Sequence, residues 1–125
     1  TVFVTIADAD KPRALPLVRR FYDLGFNIEG TAGTADFLRK NGIRTRSRRK
    51  LSEGSDEILQ SLRQGHVTYV INPLTPGEQD TTRDGFLIRR CAVENNITTF
   101  TSLDTVAVLL DVLEEITVGI STIDA

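Results

Sequence analysis

The sequence predicts an α/β fold: a five-stranded parallel sheet, doubly wound by helices into three α/β/α layers. Two observations carry that prediction. Short β-rich runs alternate with stretches of helical periodicity five times, and the chain holds no internal repeat or low-complexity segment. Breakers such as Gly25, Gly65 and "PLTP" separate the runs. Right-handed crossovers then leave few topologies.

"VFVTIA" (Val2–Ala7) is a β-rich run of strand length. "DADKPRALPLVRRFYDLG" follows as a helix that Asp8 or Asp10 can cap. Pro12 and Pro16 lie near its start, and Gly25 ends it. Leu17, Phe21 and Leu24 share one face with Ala14 and Val18, which marks a core stripe. "FNIEG" (Phe26–Gly30) reads as the second strand, Thr34 to Lys40 as a short helix stopped by "NG", and "IRTRS" as a weak third strand. "SDEILQSLRQG" is a helix with Ser55 as N-cap and Gly65 at its end, and "VTYVIN" (Val67–Asn72) is the fourth strand. After the loop "PLTPGEQDTTRDG" come a helix, "FLIRRCAVENN", a fifth strand, "ITTF", and a helix capped by Ser102, "SLDTVAVLLDVLEEI". "TVGISTIDA" stays unassigned. Residues 1–118 are expected to form the domain and 119–125 a tail.

With 125 residues, 40% of them apolar, the chain is long enough to bury a proper core as one domain. No apolar run reaches the roughly 20 residues that span a bilayer, so no membrane helix is expected. The single cysteine, Cys91, sits in the apolar-periodic "FLIRRCAV" and reads as a core thiol in a reducing, cytoplasmic setting. The chain opens with no initiator methionine and is already in a buried-looking strand, as a segment of a larger polypeptide would be.

Net charge is −2, yet its distribution is uneven. Arg39 to Lys50 holds seven bases and no acid, and Asp104 to the end holds five acids and no base. The basic block is either a solvated face or a local anion site. Without interleaved aromatics it gives nucleobases little to stack on, so a nucleic-acid partner is not expected.

In parallel sheets ligands sit beyond the carboxyl ends of the strands, near the point where strand order reverses. That directs attention to Asp8–Lys11, Thr31–Thr34, Lys50 and Asn72–Thr75. The turn "GTAGTAD" is either a plain strand-to-helix turn or a phosphate cradle. Glycine lets the backbone approach a ligand, and the first helical N–H groups are unpaired at the positive end of the dipole. Two threonine hydroxyls add donors. It is neither GxGxxG nor GxxxxGK[ST], so dinucleotide and Walker-type readings have no support. Lys11 and Lys50 are candidate cations, and Asn72 adds an amide. Each lysine alone reads as surface; their convergence with Thr31 and Thr34 reads as a monophosphate site. Thr5, Gly33 and Thr75 are additional candidates.

Catalytic sets are poorly supplied. His66, the only histidine, lies at a helix-to-strand turn on the side of the sheet away from that pocket, so neither a zinc set nor a nucleophile triad assembles. Asp8, Asp10, Glu53 and Asp56 could approach the pocket, and one carboxylate can serve as a general base. Asp8 and Asp10 read more simply as caps.

Five features in this order resemble the C-terminal regulatory domain of the large subunit of carbamoyl-phosphate synthase, which has the Rossmann-like methylglyoxal-synthase-like fold. They are "DADKPRAL", "GFNIEGTAGTADFLRKNGI", the lysine of "RRKLSEG", "YVINPL" and "DGFLIRRCAVENNITTFTSLDTVAVLLDVLE". The resemblance covers Val2 to about Glu115. It implies a domain that catalyses nothing and binds UMP, IMP or phosphoribosyl pyrophosphate as effector. It places the family's effector residues on Lys11, Thr31, Thr34, Lys50 and Asn72. It also implies attached synthetase domains using ATP with Mg2+ or Mn2+, a glutaminase small subunit as partner, oligomerisation through this domain, and a role in pyrimidine and arginine biosynthesis.

Departures from the pattern narrow those implications. A threonine two residues past the asparagine in some members falls on Leu74, with Thr75 as its substitute. The tyrosine that contacts ornithine in some members is Thr99 here, although Thr101 matches, so ornithine activation is not expected. The wording "DGFLIRR" leans toward phosphoribosyl pyrophosphate as activator. The rival is methylglyoxal synthase itself, an enzyme on the same fold. Its aspartate base would fall on Ser55, with Asp56 one residue off, and "ITTFTSL" lacks its histidine.

Overall fold

A computed structural model describes residues 1–49, 55–74 and 83–124. Five strands, β1 (Val2–Val4), β2 (Ile28–Thr31), β3 (Thr45–Arg48), β4 (Tyr69–Ile71) and β5 (Thr98–Phe100), alternate with five helices. These are α1 (Lys11–Asp23), α2 (Ala32–Lys40), α3 (Glu57–Arg63), α4 (Arg83–Glu94) and α5 (Leu103–Asp124). All four pairings are parallel, in the order β3-β2-β1-β4-β5, so the order reverses between β1 and β4. The predicted doubly wound fold is the observed one.

Alternation along the strands divides the core in two. Val2, Val4, Ile28, Ile71 and Phe100 pack with α1, α2 and α5 through Ala14, Val18, Phe21, Leu38 and Leu110. Phe3 and Val70 point the other way, onto Ile58, Leu62, Ile88, Cys91 and Ala92 of α3 and α4. A period of two on a sheet covered on both faces makes both sets apolar. Cys91 belongs to this second core, 4% exposed. No helix among the described residues is long and apolar enough to cross a membrane.

Several boundaries differ from the sequence reading, each for a local reason. β1 stops at Val4 because Thr5 makes the last sheet bond, to Ile71, and Ile6 then turns its N–H to the Thr34 side chain. A 3-10 turn at Asp8–Asp10 follows, so the α-helix begins at Lys11. Asp10 occupies the N-cap position, as one of the two expected candidates, without a side-chain capping bond, and Asp8 pairs with Lys11. α2 starts at Ala32 rather than Thr34. In α3 the N-cap position belongs to Asp56, although Ser55 Oγ still accepts from the Glu57 amide at 3.3 Å. Ser102 Oγ accepts from Asp104 N at 3.2 Å, as a capping serine should. α4 begins at Arg83, inside the expected loop, and α5 continues past Ile116 through the unassigned segment to Asp124. Gly25, Gly42 and Gly65 end their helices with positive φ, which glycine adopts without strain.

Candidate anion site at the carboxyl edge of the sheet

The site grows from where β1 and β2 end. Gly30 pairs with Val4, and a Cβ on Gly30 would lie 2.8 Å from the Val4 carbonyl oxygen, closer than real Cβ atoms come. The sheet itself therefore requires glycine there. One residue on, Thr31 occupies the N-cap position of α2 with no side-chain capping bond, which leaves the first amides of that nine-residue helix without a side-chain cap. Such amides, at the positive end of the helix dipole, suit an anion.

Three threonine hydroxyls meet beside them. Thr31 Oγ1 lies 3.2 Å from Thr34 Oγ1 and 3.5 Å from Thr5 Oγ1. Thr34 Oγ1 accepts from Ile6 N at 3.2 Å and reaches Ile6 O at 3.4 Å. Thr34 is 2% exposed and Thr31 7%. The Thr34 hydroxyl thus joins the start of α2 to the chain leaving β1, while Thr31 makes only long bonds to neutral hydroxyls and can redirect its proton.

Lys11 completes the cluster. A Cβ on Gly33 would touch only the Lys11 Nζ, at 3.7 Å, so the ammonium lies over the α2 turn. The Lys11 side chain is 14% exposed and ion-paired with the almost fully exposed Asp8 carboxylate. It is not a free surface lysine. The Asp8 side of the pair faces solvent, so an arriving anion could take its place while the ammonium stays paired. Asn72, one residue past β4, is buried at 9% exposure, and its Nδ2 has no hydrogen-bond partner among the described residues. Its backbone N–H bonds Phe100 O, which fixes it across the reversal of strand order from Thr5.

Of the residues expected from sequence, Lys11, Thr5, Thr31, Gly33 and Thr34 are thus brought together, and Asn72 directly follows β4, the strand next to β1. Lys50, Glu53 and Thr75 lie outside the described residues. Arg49, beside Lys50, gives its amide to Glu57 Oε2 at 2.9 Å, which ties the end of β3 to the first turn of α3. Asp56 accepts from Gln60 Nε2 on its own helix at 2.9 Å.

The sequence reading missed Glu29. This carboxylate lies in mid-strand, 4% exposed, paired in register with Phe3 and facing α3. Its Oε1 accepts from Arg48 Nη2 at 2.7 Å and its Oε2 from Ser61 Oγ at 2.7 Å. His66 Nε2 stands 3.7 Å from Oε1 and 3.3 Å from Ser61 Oγ. Burial alone would push the carboxyl up, but the hydrogen bonds from Ser61 and Arg48, with the charges of Arg48 and His66, hold it below its usual range. His66 was expected to be remote from the phosphate turn. It is near the amino ends of the strands, where its carbonyl meets the Thr1 nitrogen, but it also serves this buried cluster. The available signal was the odd charge in "FNIEG", since a buried strand carboxylate demands partners. A groove of about 900 Å³ lined by Tyr22, Asn27, Arg44 and His66 also lies at that amino-terminal end, opposite the threonine cluster.

Comparison with known proteins bears on the fold. The family model described as "MGS-like domain" matches residues 13–101. Among solved structures, methylglyoxal synthase from Elizabethkingia anophelis superposes with a TM-score of 0.72 at 18% identity, covering 87% of this chain and 75% of that one. Identity that low shows a shared fold. With the family match running from the start of α1 to the end of β5, the chain belongs to the MGS-like domain family.

Proposed function

We propose that this chain is the allosteric effector-binding domain of a carbamoyl-phosphate synthase large subunit, binding UMP or a related phosphorylated nucleotide or ribose effector. One observation carries the reading: the largely buried Lys11 ammonium lies over Gly33, at a helix start whose amides lack a side-chain cap, beside the Thr5, Thr31 and Thr34 hydroxyls. A phosphate there would gain charge-assisted bonds from Lys11 and dipolar bonds from the α2 amides. Asn72 and Lys50 would complete the grip. The wider resemblance of the sequence, from "DADKPRAL" to the last helix, supports the effector-domain reading, and a synthase encoded upstream of Thr1 would separate it from a freestanding binding module.

On this reading the domain itself performs no chemistry. The attached synthetase domains carry the ATP- and metal-dependent ligase activity with a glutaminase subunit, in the cytoplasm. Regulation follows if the effector binds the active and inactive states of that larger enzyme unequally. The competing reading, a methylglyoxal synthase, rests on the shared fold. It needs a base near the phosphate, where this chain has Ser55 followed by Asp56, whose carboxylate is turned to Gln60.

Isothermal titration with UMP tests the site. Wild type is expected to bind, and Lys11→Ala to bind at least about tenfold more weakly, the worth of one charge-assisted hydrogen bond. Equal binding by both proteins defeats the assignment. Release of methylglyoxal from dihydroxyacetone phosphate would instead establish the enzyme.

A further inference from the structure

Glu29 is two residues upstream of Thr31 in the same strand, so the two side chains share one face of the sheet. Thr31 is also the register partner of Arg48, the residue that Glu29 grips. The carboxylate therefore joins three elements just beneath the threonine cluster: β2 by its own backbone, β3 through Arg48, and α3 through Ser61. Next to Arg48, Arg49 gives its amide to Glu57 at the first turn of α3. Both ends of the connection between β3 and α3 are thus fastened, directly or through Ser61, to the strand that delivers the threonine turn. Arg48 is itself 17% exposed in its side chain, which is low for a residue of a basic block. The block is not uniformly solvated: one of its members is spent on an internal carboxylate.

We propose that Glu29 is a positioning residue of the anion site, holding β3 through Arg48 and α3 through Ser61 against the strand that sets Thr31 and the start of α2. Glu29 need not touch the ligand. It locks β2, β3 and α3 together beneath Thr31, and a donor held by locked neighbours binds better than one left to find its place. The inference rests on the phosphate-site reading above and assigns the control of that same site.

The experiment is titration of UMP, inorganic phosphate and phosphoribosyl pyrophosphate into wild type, Glu29→Gln, Ser61→Ala and Lys11→Ala. Measurements are made well below each variant's melting temperature, so that every molecule is folded. Glu29→Gln keeps the shape and loses the charge that holds Arg48, and should weaken the tightest of the three probes about tenfold. Ser61→Ala removes one hydrogen bond without stranding a charge, and should weaken it about threefold, which keeps the proposal testable if the glutamine variant does not fold. A role confined to stability would lower the melting temperature and leave the dissociation constants unchanged. That outcome, with Lys11→Ala still losing affinity, overturns the positioning role alone. Failure of wild type to bind any probe, or wild-type affinity in Lys11→Ala, overturns the site reading and this inference with it.

Discussion

Two polar clusters two residues apart on β2 are built in opposite ways. Around Thr31 the hydrogen bonds join neutral hydroxyls at 3.2 to 3.5 Å, and each can be exchanged for another. Around Glu29 an ionised carboxylate accepts two bonds at 2.7 Å, one from a guanidinium, in a site 4% exposed. Short bonds to a buried charge are hard to give up, and long bonds between hydroxyls are cheap to give up. The difference teaches where binding can occur. A ligand is to be expected at the loosely bonded cluster, and rigidity at the tightly bonded one.

The sharpest way to break that contrast is to truncate the anchor. Glu29→Ala strands the Arg48 guanidinium in a largely buried position, and should cost about 3 kcal/mol in urea unfolding, near the lower end for a broken buried pair. A cost like that of an ordinary surface substitution would show that the two clusters are not different in kind.

Acid offers the next largest effect. The Glu29 carboxyl is held below its ordinary value of 4.5 in the folded chain, so its contribution to stability is fully present above that pH. It is lost as pH falls through the lower folded value. Urea unfolding of wild type should therefore weaken more steeply below pH 4.5 than that of Glu29→Gln, while the two curves run parallel near neutrality. Parallel curves throughout would mean that the carboxyl titrates alike in both states.

The smallest effect belongs to the threonines. Thr31→Val removes a hydroxyl with only long, neutral bonds, and should lower stability by no more than about 1 kcal/mol. UMP titration of the same variant should show a clear loss of affinity. A large stability loss would place Thr31 with the structural cluster instead.

The architecture was legible because burial imposes a period: Val2, Val4 and Phe3 announce a two-sided strand, and Leu17, Phe21 and Leu24 a one-sided helix. The meeting of Thr5, Thr31 and Thr34 was legible for a related reason, since a parallel sheet gathers the residues that end successive strands along one edge. Glu29 escaped because its partners lie 19 and 32 residues away and belong to elements of ordinary composition. Nothing local in "RTRSRRK" separates Arg48, turned inward, from its exposed neighbours Arg44 and Arg46. Strand ends were misjudged where side chains take over backbone partners, as the Thr34 hydroxyl does at Ile6.

Position 30 carries a consequence for reading kindred sequences. With an oxygen of the adjoining strand only 2.8 Å from where a methyl would sit, any larger residue would wedge β1 and β2 apart. Thr5 and Thr31 would then part company. A homologue would need the first glycine of "GTAGT" whether or not it binds a ligand, so that letter reports on strand spacing and is silent about ligands. At Gly33 the missing methyl would meet only the movable tip of Lys11, so strand spacing places no such demand on that letter.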